Sequence, residues 1–152
     1  MSHTTDPYNL QRFVEAQAPI YDQARAELRQ GSKRSHWMWF IFPQISGLGS
    51  SPTAIVYAIA SKDEAAAYLN HPTLGPRLRE CTQLVNQVEG RSVDQIFGSP
   101  DDLKFRSSIT LFAQVTSDSQ IFLDALQKYF HGKFDSATIN QLQSIKTPSS
   151  AP

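Results

Sequence analysis

Apolar residues recur along most of the chain at helical spacing, and the alternation typical of strands is nearly absent. Leu74, Leu78 and Cys81, for example, lie on one stripe of a long helix. The pattern predicts a mainly α-helical protein, a single compact and irregular bundle of about eight or nine short helices. We expect residues 1–143 to form this domain. The serine- and proline-rich residues 144–152 are expected to be a disordered tail.

Proline marks several of the predicted helix starts. An aspartate or serine followed by proline is a common start signal, and it occurs at Asp6–Pro7 and at Ser51–Pro52. The first start predicts a helix up to Pro19, and the second predicts a helix to about Ala60. The last helix is expected from about 135 to 143.

Capping residues mark other boundaries. Ser61 and Ser92 are each followed three residues later by glutamate or glutamine, the capping-box pattern of a helix start. Gly31 follows a stretch of helical spacing and predicts a helix end there. A further helix is expected from about Pro100 to Val115.

One apolar run stands out. Residues 37–42 are unbroken in apolar character and contain both tryptophans; Lys33, Arg34 and His36 precede them, and a glycine-rich loop follows. The run is too short to cross a bilayer, which needs about 20 residues. We predict a short buried helix over residues 35–42. A strand is the alternative, because aromatic and β-branched residues favour sheets, but no neighbouring segment offers a pairing partner.

Composition excludes several classes of function. The chain has 152 residues, of which 14 are basic and 14 acidic, so non-specific nucleic-acid binding is not expected. It has one cysteine and no signal-peptide pattern or transmembrane segment, which predicts a soluble protein of the cytoplasm without membrane association. No cluster has metal-ligand spacing, so neither a metal nor a cofactor is expected. The oligomeric state stays open.

Several helices carry polar side chains within their predicted apolar arc. An unpaired buried polar group costs about 1–3 kcal/mol, so each of these side chains needs a partner. The residues are Asp101, Lys104 and Ser108 after Pro100, Arg77 in the helix from Thr73, and Gln17 in the first helix. Ser107 and Thr110 fall outside the arc. The inward-facing side chains could converge on one polar site.

A structural explanation exists for each of these residues. Asp101 near a helix start is stabilised by the helix dipole whatever its function. Lys104 could extend its ammonium to solvent along an apolar stem. Arg77 could pair with an acid, and Gln17 and Ser108 could satisfy each other or a backbone carbonyl. The tryptophans are expected mostly in the core, with at most one offering a stacking face.

The alternative hypothesis is functional: these groups line one cleft that suits a small anionic or nucleotide-like ligand. Phosphate contacts are expected from Lys33, Arg34, Arg77 and Lys104, other ligand contacts from Gln17 and Ser108, and stacking from Trp37 or Trp39. Ser50, Ser51 and nearby backbone amides could add donors. The catalytic candidates are Asp101 as acid or base, Gln44 to orient a water, and His36.

The sequence also resembles a known family. The similar segments are 33–44, 47–49, 57–59, 71–78, 96–98, 100–104 and 107–112. Together they resemble domain-of-unknown-function family 1810 (DUF1810), over about residues 6–142. Some bacterial members of that family carry the label calpastatin, which is uninformative about activity. The resemblance implies a compact helical domain and no particular activity. Size, helicity and a tryptophan-bearing polar site also suggest a remote similarity to NADAR proteins, small helical domains linked to ADP-ribose chemistry.

Three hypotheses follow from the sequence. The first is an enzyme that binds a nucleotide or ADP-ribose-type ligand and hydrolyses its N-glycosidic bond. The second is a non-catalytic module that binds a ligand or a protein through the same cleft. The third is a partner-dependent protein in which residues 33–44 are wholly structural.

Overall fold

The computed structural model describes residues 6–149, with side chains up to residue 144. Its helices are α1 (Gln11–Gln17), α2 (Tyr21–Gln30), α3 (Met38–Ile41), α4 (Pro52–Val56), α5 (Lys62–Asn70), α6 (Leu74–Gln87), α7 (Val93–Phe97), α8 (Asp101–Ala113), α9 (Gln120–Phe130) and α10 (Ser136–Ser149). No strand forms within residues 6–149, which confirms the all-α prediction. No helix in this part of the chain is both long enough and apolar enough to cross a membrane.

Helix α8 is the centre of the bundle and packs against α5, α7, α9 and α10. Because neighbours surround it, this helix is buried on nearly every side. Ser107 and Thr110, which the helical arc placed outside the core, are buried as well. The prediction for these two residues was wrong because the arc assumes one solvent-facing side, and α10 covers that side.

The apolar run contains a single turn of helix, shorter than the predicted helix over residues 35–42. Only α3, four residues long, has helical geometry, and the strand alternative is wrong. The ring of Phe42 lies 5.0 Å from the ring of Phe105, which in turn stacks on Phe97 at 4.8 Å. The end of α3 is therefore fixed by aromatic contacts to α7 and α8.

Helix α1 begins four residues later than the start signal after Asp6 predicts. The carboxylate of Asp6 accepts hydrogen bonds from the backbone N–H groups of Leu10 and Gln11, at 2.8 and 3.0 Å. Asn9 between them is left-handed, with φ of 51°. A continuous helix cannot contain that conformation, so Asp6 closes a turn and the helix follows it.

Two other boundaries differ from the sequence prediction. Helix α4 ends at Val56 rather than near Ala60, because Ile59 leaves the helix and forms a parallel bridge with Ile45. Helix α10 continues past residue 143, so residues 144–149 of the predicted tail are helical. The last three residues of that tail lie outside the described residues.

The helix boundaries predicted from capping residues are confirmed. Gly31 ends α2 with φ of 70°, a left-handed conformation that glycine adopts without steric cost. Ser92 forms the complete capping box with Gln95. Ser61 accepts a hydrogen bond from the N–H of Glu64 and starts α5 as predicted, but the Glu64 carboxylate accepts from the N–H of Ala60 and not from that of Ser61, so this capping box is incomplete.

A buried carboxylate on α2 holds the segment that leads into α3. Glu27 accepts hydrogen bonds from the backbone N–H groups of Arg34 and Ser35, at 2.9 and 3.2 Å, and from the indole Nε1 of Trp37 at 2.9 Å. Burial alone would raise the pKa of Glu27, but these bonds, with others from Gln23 and the Ser35 hydroxyl, lower it from 4.5 to about 2. The folded state therefore favours the ionised carboxylate.

We expect Glu27→Gln to lower the free energy of unfolding at pH 7 by about 2–4 kcal/mol, because its amide nitrogen would face donors in place of an acceptor. A folded pKa below the unfolded one stabilises the protein above pH 4.5, and this contribution is lost as the pH falls through about 2. The difference between wild type and variant should therefore shrink in urea titrations between pH 5 and pH 2.

Glu15→Gln is the matched control, since Glu15 is exposed on neighbouring α1. It should change stability by less than about 0.5 kcal/mol at either pH. A Glu27→Gln loss that stays constant with pH would show that the carboxylate charge does not stabilise the fold.

Candidate functional site

A cleft of about 450 Å³ opens between α3, the loop before α4, the first turns of α8 and the start of α10. We call it the Trp39 cleft. Its polar lining consists of Trp39, Gln44, Ser50, Ser51, Lys104, Ser107 and Asp135. Leu48, Ala54 and Leu103 add an apolar wall. This volume lies within the range of about 300–1,000 Å³ that is usual for small-molecule sites.

An aromatic ring and a cation meet in this cleft. The ammonium Nζ of Lys104 lies 4.7 Å from the ring centroid of Trp39, which is the geometry of a cation–π contact. Trp39 is half-buried, and its indole Nε1 is buried without donating to any residue in the described part of the chain. The cleft therefore presents part of an indole beside a positive charge.

Behind the cleft, two lysines share one carboxylate. Lys33 Nζ lies 2.8 Å from Asp101 Oδ2, and Lys104 Nζ lies 3.4 Å from Asp101 Oδ1. The Lys33 side chain is only 7% exposed and also lies over the ring of Trp37. Asp101 accepts no backbone N–H from residues 6–149, so hydrogen-bonded capping does not explain its position. With two ammonium groups and one carboxylate, the trio has a formal charge of +1.

Gln17 and Arg77 come together, but away from the cleft. Arg77 Nη1 donates to Gln17 Oε1 at 3.2 Å, and its guanidinium lies 4.5 Å from the ring centroid of Tyr21. Gln17 Nε2 donates to the carbonyl of Phe40 at 2.7 Å and to the hydroxyl of Tyr68 at 3.0 Å. This network joins α1, α3, α5 and α6, and neither Gln17 nor Arg77 lines the cleft.

Four other predicted site residues also lie apart from the cleft. Trp37 is fully buried, which leaves no face for a ligand to stack on. Arg34 and His36 are exposed, and neither side chain forms a hydrogen bond or ion pair within residues 6–149. Ser108 is buried with its hydroxyl unpaired, so of the two partners considered for Gln17 the backbone carbonyl, that of Phe40, is the one it uses. Of the predicted residues, the cleft contains Trp39, Gln44 and Lys104, and also Ser50 and Ser51, which were expected as additional donors.

Two cleft residues were missed by sequence reasoning. Asp135 Oδ2 accepts hydrogen bonds from the Ser107 hydroxyl at 3.1 Å and from the backbone N–H of Thr138 at 3.0 Å. The second bond is an N-cap for α10, and an aspartate just before a predicted helix is its sequence signal. That signal gives no information on the packing of α10 against α8, which brings Asp135 to the cleft.

Comparisons with known proteins identify the family. Residues 7–142 match the family described as "Protein of unknown function (DUF1810)". The chain belongs to this family. It is also similar to a solved structure, the crystal structure at 1.38 Å of the conserved hypothetical protein Rv1873 from Mycobacterium tuberculosis.

The two chains are 59% identical with a TM-score of 0.90, and the match covers 91% of this chain and 99% of the other. No curated protein matches the chain. DUF1810 membership agrees with the family resemblance found in the sequence and assigns no activity. The remote similarity to NADAR proteins stays a prediction.

The carboxylate of Asp101, which two lysines share, should stabilise the fold. We expect Asp101→Asn to lower the free energy of unfolding by about 2–3 kcal/mol, because the nearly buried Lys33 ammonium would lose its anion. Urea unfolding at pH 7 measures this loss. A second substitution, Lys33→Met, should recover part of it, since it removes the uncompensated charge.

Asp102→Asn is the control, because Asp102 occupies the same first turn of α8 and forms no ion pair with a described residue. It removes a comparable interaction with the helix dipole, worth about 0.3–1 kcal/mol. Equal losses in the two variants would mean that Asp101 stabilises only the helix start.

Proposed function

We propose that the protein binds a small anionic ligand of the nucleotide type in the Trp39 cleft. The observation that supports this most is the Lys104 ammonium held 4.7 Å from the Trp39 ring inside a cleft of about 450 Å³. An indole provides a stacking surface for a base, and an ammonium provides a point charge for a phosphate.

The ion pairs behind the cleft leave Lys104 incompletely neutralised. Asp101 lies closer to Lys33 than to Lys104, at 2.8 against 3.4 Å. The Lys104 side chain is 25% exposed, whereas that of Lys33 is 7% exposed. Lys104 is therefore the cation with room to contact a ligand, while Lys33 holds the carboxylate behind it.

Neutral polar groups in the cleft also have unused hydrogen-bonding capacity. The side-chain amide of Gln44 forms no hydrogen bond within residues 6–149, and it lines both the cleft and a small cavity beneath it. An amide supplies a donor and an acceptor. Beside the exposed part of the Trp39 ring, it gives the cleft a donor and an acceptor that suit the heteroatoms of a nucleobase.

The contacts of the catalytic candidates favour binding over hydrolysis. An acid or base must reach the reacting group. Asp101 pairs with two lysines and does not line the cleft, and His36 is exposed elsewhere. We therefore propose a ligand-binding module and give N-glycosidic hydrolysis less support. We expect it to act in the cytoplasm, as the sequence predicts.

Thermal unfolding with ADP-ribose, NAD and AMP tests the proposal. A ligand present at 100 times its dissociation constant should raise the free energy of unfolding by about 2.7 kcal/mol. Lys104→Met should weaken binding about 10-fold or more, because the phosphate loses its cation. Lys62→Met, at an exposed lysine on α5, should bind as the wild type does.

Fluorescence locates the bound ligand, because only two tryptophans are present and Trp37 is fully buried. The ligand should change the emission of the wild type but not that of Trp39→Phe. An absence of stabilisation with all three ligands would refute the proposal. Release of nicotinamide from NAD, or of adenine from AMP with formation of ribose 5-phosphate, would favour the hydrolase hypothesis instead.

A further inference from the structure

The Asp135 carboxylate is fixed in place by three donors on a single oxygen. Oδ2 accepts hydrogen bonds from the hydroxyl and the backbone N–H of Thr138 and from the Ser107 hydroxyl, whose hydrogen is shared with the Leu103 carbonyl. The backbone N–H of Asp135 donates to the Thr110 hydroxyl at 2.9 Å. Contacts to both α8 and α10 therefore hold this side chain in one orientation.

The other carboxylate oxygen is unused. Oδ1 of Asp135 accepts no hydrogen bond from the described part of the chain, and Asp135 lines the Trp39 cleft. Capping of α10 explains the bonds to Oδ2 but requires nothing of Oδ1. A fixed carboxylate that keeps one oxygen free in a cleft is an acceptor prepared for a ligand.

We propose that Asp135 Oδ1 binds hydroxyl groups of the ligand's sugar, so that the cleft selects phosphorylated sugars and nucleotides with free hydroxyls. This inference rests on the proposed function and adds the ligand class to it. One carboxylate oxygen has lone pairs for two neighbouring hydroxyls of a sugar.

The arrangement of charges supports an uncharged donor at this position. A phosphate would be repelled by the carboxylate and attracted to Lys104, while an ammonium group on the ligand would be repelled by Lys104. Lys104 and Ser107 are one helical turn apart, a separation of about 5–6 Å between Cβ atoms, and Asp135 contacts Ser107. The cation and the free oxygen therefore lie within the reach of one sugar phosphate.

AMP and its 2′,3′-dideoxy analogue test this inference, because they share the base and the phosphate and differ only in the hydroxyls. By titration calorimetry, the wild type should bind AMP about 10-fold or more tightly than the analogue, the usual value of a hydrogen bond to a charged group. Asp135→Asn should lower this ratio, because its amide group forms hydrogen bonds to the sugar hydroxyls without the assistance of a charge, and should leave the affinity for the analogue unchanged or higher.

Asparagine is the matched substitution, since it caps helices as well as aspartate does. Circular dichroism and thermal unfolding of Asp135→Asn should therefore resemble those of the wild type. The wild-type ratio is a test that does not depend on the variant, because equal affinities for the two nucleotides would overturn this inference and leave the proposed function standing. Failure of AMP to bind would also overturn it, and the proposed function fails only if ADP-ribose and NAD do not bind either.

Discussion

The Glu27 carboxylate fixes the segment on which the cleft depends. Between α2 and α3 the chain is not helical, so the N–H groups of Arg34 and Ser35 have no helical partner. Glu27 supplies the acceptor, and the indole Nε1 of Trp37 donates to the same oxygen. Trp39 follows two residues later. The position of its ring relative to α8 therefore follows from a carboxylate on a different helix.

The segment between α2 and α3 also determines which lysine is available in the cleft. At its start, the backbone N–H of Lys33 donates to the carbonyl of Ile96 at 2.7 Å, which ties the segment to α7. The Lys33 side chain is nearly buried, and a buried ammonium needs an anion, here Asp101. Asp101 is thereby committed to Lys33, which leaves Lys104 with the longer ion pair and the exposed position beside Trp39.

Sequence reasoning succeeded where the deciding contact is local. Gly31, Ser61 and Ser92 act within a few residues of themselves, so their helix boundaries could be predicted. Helical spacing also placed Lys104 facing inward, but spacing does not identify a partner far along the chain. Gln17 and Arg77 are 60 positions apart and form a hydrogen bond with each other, away from the Trp39 cleft. Asp135 was missed because only the packing of α10 on α8 brings it to the cleft.

An unpaired buried atom does not by itself mark a binding site. Within residues 6–149 the buried side-chain atoms without a partner are Arg25 Nε, Asn86 Oδ1, Ser108 Oγ and the indole Nε1 of Trp39. None of the first three residues lines the Trp39 cleft. Trp39 does line it, and its ring lies there beside an incompletely neutralised cation, a free amide and a carboxylate with one unused oxygen. Unused donors and acceptors of different charge around one hollow are what the proposed ligand requires, whereas Ser108 is a polar group enclosed by packing.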